Sequence, residues 1–369
     1  MSTPPPVPYQ LIDQPEALAE QARAWATRPF LAVDTEFVRV DTYYPILCLV
    51  QVDDGERSCC IDMLKIGDAA PLFEVLAQPR ILKVFHAAGQ DLEILVQLTG
   101  ACPAPMFDTQ IAATLLGMGD QLGYAGLIQR MLGIEVDKSL SRTDWKRRPL
   151  TAPELAYAAA DVRHLAEIYP SLHEQLAACG RLAWLAEDCA RQSEPGQYRN
   201  DPRDAWRRLK GLARLGAQEQ VVAAALAQWR ENEAQARDWP RKWIVEDDAI
   251  YRVAQRLPAS LAELEELRVL PPRTLARHGE ALLEITRQAR SAPPQVLSTR
   301  DGLDSAQKTL LQKLQDALRA SADAAGLPAS YIAPRADLTE LVREGARAQV
   351  PLLQGWRREL AGEKLLALI

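Results

Sequence analysis

The sequence has no C-x-x-C pair, and none of its six cysteines lies beyond residue 189. Zinc ribbons and thioredoxin-like redox motifs are therefore excluded. Cys48, Cys59, Cys60, Cys102, Cys179 and Cys189 are expected to be reduced thiols, mostly in the core of a cytoplasmic protein. No apolar run approaches the roughly 20 residues of a membrane span, so no membrane partner is expected. The N-terminus, MSTPPPVPYQLIDQ, lacks the basic start and apolar stretch of a secretory signal. No G-x-x-x-x-G-K-S/T loop is present, which argues against helicase motors. After about residue 200 the β-strand signal also disappears.

What is present is a chain of 369 residues, 48% hydrophobic and 25% charged. That is the composition of a soluble globular protein, and it is too long for one ordinary core. A net charge of −6 would ordinarily disfavour a nucleic-acid partner, but the charge is unevenly spread. Residues 1–198 carry −10, residues 199–290 carry +3 and residues 291–369 carry +1. An acidic domain still handles phosphate when its carboxylates hold divalent cations, because the bound ion dominates the local field. Total charge excludes nothing here.

The first half alternates strand-like segments (Phe30–Val38, Leu47–Asp53, Ser58–Met63, Ile81–His86) with helical ones (Pro71–Ala77, Asp91–Leu98, Thr109–Leu116, Tyr124–Leu132, Ala152–Tyr169). This pattern predicts a mixed α/β domain, a central sheet flanked by helices. The second half reads as helices, with Trp206, Trp229, Trp239 and Trp243 filling their core. SEPGQYRNDPRD (193–204) and SAPPQVLSTRDG (291–302) read as hinges, dividing the chain into 1–198, 199–290 and 291–369. The helical half also repeats: WPRKWIV at 239–245 is answered 88 residues later by LPASYIA at 327–333. Two copies of one small helical bundle account for this better than a single large domain.

Within FLAVDTEFVRV (30–40), Asp34 and Glu36 sit two apart on a predicted strand. Side chains alternate along a strand, so both carboxylates leave the same face. Asp91 follows a later strand in VFHAAGQDLEIL (84–95), and Tyr157 and Asp161 lie four apart, on one face of a helix, in ELAYAAADVRHL (154–165). Taken singly, each has an ordinary reading: an edge-strand solvent face, a helix N-terminal charge, helix decoration. Taken together, four carboxylates at one place repel strongly unless cations lie among them. An all-oxygen set suits Mg²⁺ or Mn²⁺, and two such ions can clamp a phosphodiester during displacement.

In this order and spacing the sequence resembles the DEDD 3′→5′ exonucleases of the ribonuclease-H-like fold, in the branch marked by Y-x-x-x-D. The bacterial ribonuclease D group is closer still. The resemblance rests on VDTEFVRVDTYYPILCLVQV (33–52), HAAGQDLEIL (86–95), DKSLSRTDW (137–145) and YAAADVRHL (157–165), and it continues through two HRDC-like modules. It implies an α/β exonuclease domain followed by two all-α HRDC-like bundles, the second degenerate. It also implies a cofactor of two divalent ions. Asp34 would bridge both, Glu36 and Asp161 would complete the first, and Asp91 would hold the second, partly through water. Tyr157 would orient the attacking water and assist its deprotonation. The implied partner is RNA with a free 3′ end, transfer RNA precursors in particular, acted on by a monomer.

DKSLSRTDWKRRP (137–149) sets Lys138, Arg142, Lys146, Arg147 and Arg148 around Trp145 in an otherwise acidic domain. Basic residues beside an aromatic suit a flexible nucleic-acid strand; the plain alternative is a solvated loop with Trp145 packed inward. Tyr43 and Tyr44, near the active strand, are read as RNA contacts or as core and turn packing. Arg241 and Lys242 are read as a basic face of the first helical module, or else as part of an architectural bundle. His86 is expected to be structural, since hard-ion sites rarely recruit imidazole. Two other functions stand beside the exoribonuclease: a DNA 3′→5′ exonuclease, and a non-catalytic RNA-binding protein.

Overall fold

The computed structural model describes residues 8–137, 139–297 and 302–369. Its sheet has six strands: β1 (Tyr9–Ile12), β2 (Phe30–Val38), β3 (Ile46–Asp53), β4 (Ser58–Asp62), β5 (Leu82–Phe85) and β6 (Met106–Asp108). Their order is β1-β4-β3-β2-β5-β6. The sheet is mixed: β3 and β4 are antiparallel, whereas β1 with β4, β2 with β5, and β5 with β6 are parallel. β2 is therefore an interior strand, which disposes of the edge-strand reading of Asp34 and Glu36. Its apolar start, with Leu31, Ala32 and Val33 buried, fits a strand covered on both faces.

Among the described residues, seven helices accompany the sheet: α1 (Pro15–Trp25), α2 (Ala70–Leu76), α3 (Gly89–Thr99), α4 (Thr109–Leu115), α5 (Tyr124–Leu132), α6 (Ala152–Ala178) and α7 (Leu182–Gln192). α6 begins where a capping box allows it. The Glu154 carboxylate accepts from the Thr151 backbone N–H at 2.7 Å and the Thr151 hydroxyl at 2.8 Å. The entry to α3 depends on Asp108, whose carboxylate accepts from Ala87 N and Ala88 N, both at 3.0 Å, and from Gln110 N at 2.8 Å. One buried side chain thus ties the β5–α3 corner to the start of α4.

Beyond residue 198 the chain is helical among the described residues: α8 (Ala217–Arg237), α9 (Arg241–Ile244), α10 (Asp247–Arg256), α11 (Leu261–Glu266), α12 (Pro272–Ser291), α13 (Ser305–Ala325), α14 (Ala329–Ile332) and α15 (Arg335–Glu344), followed by short turns. The series α8–α9–α10 recurs as α13–α14–α15, each helix of equal length and displaced by 88 residues. Both long helices end on a left-handed residue, Asp238 in one copy and Gly326 in the other.

The chain forms two compact units that do not follow chain order. The first comprises residues 1–38, 47–198 and 303–369; the second comprises 39–46 and 199–302. In the first, the C-terminal helices share the core of the sheet domain. Trp356 stacks on Trp184 with centroids 4.7 Å apart, and Arg357 is ion-paired to Asp188 on α7, both side chains being buried. The second unit has its own core, which takes in Tyr43, Leu226, Ile250 and Leu282. Trp206, Trp229 and Trp239 pack against that core, but Trp243 does not: it is 57% exposed on the four-residue helix α9. All six cysteines are free; Cys48, Cys59, Cys60 and Cys189 are buried, Cys102 is half-buried and Cys179 is exposed. No described helix is long and apolar enough to cross a membrane.

Candidate active site

β2, the β5–α3 corner, the segment 137–149, α5 and α6 surround a cleft of about 420 Å³. Asp34 and Glu36 enter it from one face of β2, and Tyr157 and Asp161 from one face of α6. Asp34, Glu36 and Asp161 each bring a carboxylate oxygen within 4.8 Å of the other two. Asp91, at the first turn of α3, stands outside this trio. Its Oδ1 accepts a hydrogen bond of 2.5 Å from Thr35 Oγ1, in buried surroundings.

Burial pushes all four carboxyls upward, and repulsion adds to it at Glu36, Asp91 and Asp161. Asp34 is raised by burial to about 6. Glu36 is raised to about 9, first by burial and then by the charges of Asp34, Asp161 and Asp91. Asp91 and Asp161 lie well above the usual carboxylate range because they are buried and face Asp34. A cluster this electronegative fits a divalent cation: the donors are all oxygen, and a positive charge among them removes the repulsion. The Tyr157 phenol is pushed up too, by burial and by Asp161, Glu36 and Asp34 in turn. It keeps its proton at neutral pH.

Trp145 is buried yet lines the cleft, its indole stacked on the Tyr157 ring with centroids 6.5 Å apart at 25°. Packing inward and facing the site are thus not alternatives for this residue. Its segment is anchored by Arg148, which donates to Asp62, the Cys48 carbonyl and the Trp145 carbonyl, and by Arg147, paired with Glu154 at 2.5 Å. Arg142 and Lys146 are exposed, and Lys138 lies outside the described residues. His86 Nδ1 is 2.9 Å from Thr109 Oγ1, whose hydroxyl donates to the Phe85 carbonyl. Sequence reasoning missed Thr35, Tyr124, Ser141 and Thr143, which also line the cleft. Thr35 carried a signal as the central residue of D-x-E, and Ser141 and Thr143 lie within the DKSLSRTDW stretch.

A 3′-5′ exonuclease family model matches residues 9–177, and an HRDC domain model matches residues 219–286. The chain is 38% identical over 365 residues to ribonuclease D of Pseudomonas paraeruginosa, across 97% of this chain and 96% of that protein. The chain belongs to the ribonuclease D family. Ribonuclease D of Acidiphilium cryptum is 40% identical over 373 residues, spanning 100% of this chain and 94% of that one. The crystal structure of Escherichia coli RNase D, described as an exoribonuclease involved in structured RNA processing, is similar with a TM-score of 0.91 at 33% identity over 98% of both chains.

The remaining expected RNA contacts of the ribonuclease D reading fall in the second unit, where Tyr43, Tyr44 and Arg241 make contacts within it. Tyr43 is 2% exposed, and its phenol donates to Glu231 and accepts from Gln235 Nε2 at 3.1 Å. The backbone N–H groups of Tyr43 and Tyr44 both donate to Asp238 Oδ1, at 3.0 and 2.9 Å. Arg241 is bound to Glu231 through two hydrogen bonds, with its guanidinium 4.7 Å from the Tyr43 ring centroid. Tyr43 and Arg241 are therefore structural partners of one another. Tyr44 packs edge-on against Tyr43. Lys242 is exposed, next to Trp243.

Proposed function

We propose that this chain is a metal-dependent 3′→5′ exoribonuclease that trims the 3′ ends of structured RNA precursors, transfer RNA among them, and releases nucleoside 5′-monophosphates. The observation that carries this reading is the convergence of Asp34, Glu36 and Asp161 within 4.8 Å, beside Tyr157, in one cleft. Asp34, Glu36 and Asp161 would hold one Mg²⁺ or Mn²⁺ ion, and Asp91 with Asp34 a second. When bound, such ions acidify water and neutralise charge on the attacking and leaving oxygens. Tyr157 would orient the attacking water and assist its deprotonation. Trp145 braces the Tyr157 ring and closes that side of the cleft to bulk water.

Arg142, Lys146 and Lys138 are read as the cations that track the strand's phosphates. The segments 1–198, 199–290 and 291–369 are read as a nuclease, an HRDC domain and a degenerate HRDC-like domain, supported by the repeated helix series. Lys242 and Trp243 are the exposed pair through which the first HRDC domain adds avidity. The protein is read as a cytoplasmic monomer.

The test is a transfer RNA precursor with a short 3′ trailer, incubated with the full chain in Mg²⁺ beside a DNA strand matching the trailer. Release of 5′-monophosphates from the RNA alone is expected; equal degradation of the DNA contradicts the ribose selectivity.

A further inference from the structure

Tyr124 begins α5 and reaches across to the one turn of α6 that carries Asp161. Its hydroxyl lies 3.0 Å from the Asp161 carbonyl, 3.3 Å from the Ala160 carbonyl and 3.1 Å from His164 Nδ1. On its other side the ring meets His86 edge-on, with centroids 5.8 Å apart. The side chain thus spans the cleft wall from the β5–α3 corner to α6.

A purely structural reading of this hydroxyl is weak. The two carbonyls it approaches lie inside a continuous helix, where each has a partner four residues on. A phenylalanine would fill the same space and keep the ring contact with His86. What a phenylalanine would lose is the polar grip on the Asp161 turn. Groups that orient a metal ligand without touching the metal are worth about 10- to 100-fold in affinity.

We propose that Tyr124 is a positioning residue: its hydroxyl fixes the rotation of the α6 turn and of the Asp161 carboxylate, and so sets the affinity of the Asp34–Glu36–Asp161 trio for its divalent ion. The proposal rests on the metal-site reading above.

The experiment is calorimetric titration of Mn²⁺ into the full metal-stripped chain, comparing the parent with Tyr124→Phe. Binding about tenfold weaker in Tyr124→Phe is expected. Excess Mn²⁺ should then restore its turnover to the parent's, at an unchanged KM for RNA. A second variant, His164→Phe, removes the anchor from the α6 side while leaving the Tyr124 ring in place; it should weaken Mn²⁺ in the same direction by less. Circular dichroism in EDTA checks that each variant is folded. Mn²⁺ binding within about twofold of the parent in both variants overturns the proposal, as does lost turnover that Mn²⁺ does not restore. A parent that binds no Mn²⁺ refutes the metal-site reading itself, and the proposal falls with it.

Discussion

Thr35 Oγ1 donates to Asp91 Oδ1 at 2.5 Å, joining the strand that bears two of the acidic residues to the helix that bears a third. The residue inside D-x-E is thus itself part of the site: Asp34 and Glu36 join the carboxylate trio, while Thr35 takes hold of the fourth carboxylate.

Thr35→Val keeps the strand preference and the volume but removes the donor. Asp91 is then left as a buried acceptor one bond short, which costs about 1–3 kcal/mol. Chemical denaturation of the metal-free chain should show that loss, and kcat/KM in limiting Mg²⁺ should fall about 10- to 100-fold. Unchanged stability together with unchanged activity would remove Thr35 from the account.

The raised carboxyls give stability a definite dependence on pH. Asp34 and Glu36 titrate higher folded than unfolded, about 6 and about 9 against ordinary values of 3.8 and 4.5. The folded state therefore binds more protons across that window, and stability must fall as pH rises through it. In EDTA the Tm is expected to drop from pH 4.5 towards pH 9. Mn²⁺ should raise it, most strongly at the alkaline end, and Glu36→Gln should flatten the EDTA profile. A Tm that climbs with pH in EDTA contradicts the electrostatics described.

Trp145 separates support of catalysis from RNA binding. Its indole stacks on Tyr157, so Trp145→Ala releases the phenol proposed to orient the water. The expected result is a kcat about tenfold lower or worse, with a smaller change in KM, and partial recovery in Trp145→Phe. A change confined to KM would assign Trp145 to strand binding instead.

The Asp188–Arg357 pair is buried on both sides, 2% and 5% exposed, and Asp188 also accepts from Tyr331, Trp356 and Arg191. Arg357→Met leaves a buried carboxylate without its main partner. We expect a loss of about 3–5 kcal/mol in urea unfolding, partly recovered by adding Asp188→Asn. A loss below 1 kcal/mol would mean that residues 303–369 are held by apolar packing alone.

What the sequence revealed and what it hid divide along a physical line. β2 spans Phe30–Val38 and α5 spans Tyr124–Leu132 as read, because local pattern decides a buried strand and a capped helix. Strand and helix periodicity put Asp34 with Glu36, and Tyr157 with Asp161, on shared faces, and these four line one cleft. β1 and β6, four and three residues long, carry too little pattern to register. α6 runs past the expected end at Tyr169, through Pro170, to Ala178. For Tyr43 the sequence left RNA contact and core packing both open, because its partner Glu231 lies 188 residues away. Trp243 looked like core because nothing local marks the exposed side of a four-residue helix.

The central claim is that Asp34, Glu36 and Asp161 form a metal-dependent exonuclease centre. It is tested most directly with a 5′-labelled RNA bearing a single-stranded 3′ tail on a stem, incubated in Mg²⁺ with the full chain, with Asp34→Ala and with EDTA. The account predicts a ladder shortening from the 3′ end with the parent alone, abolished in both controls. Shortening that persists in Asp34→Ala, or an RNA bound by the parent but never cut, would contradict it.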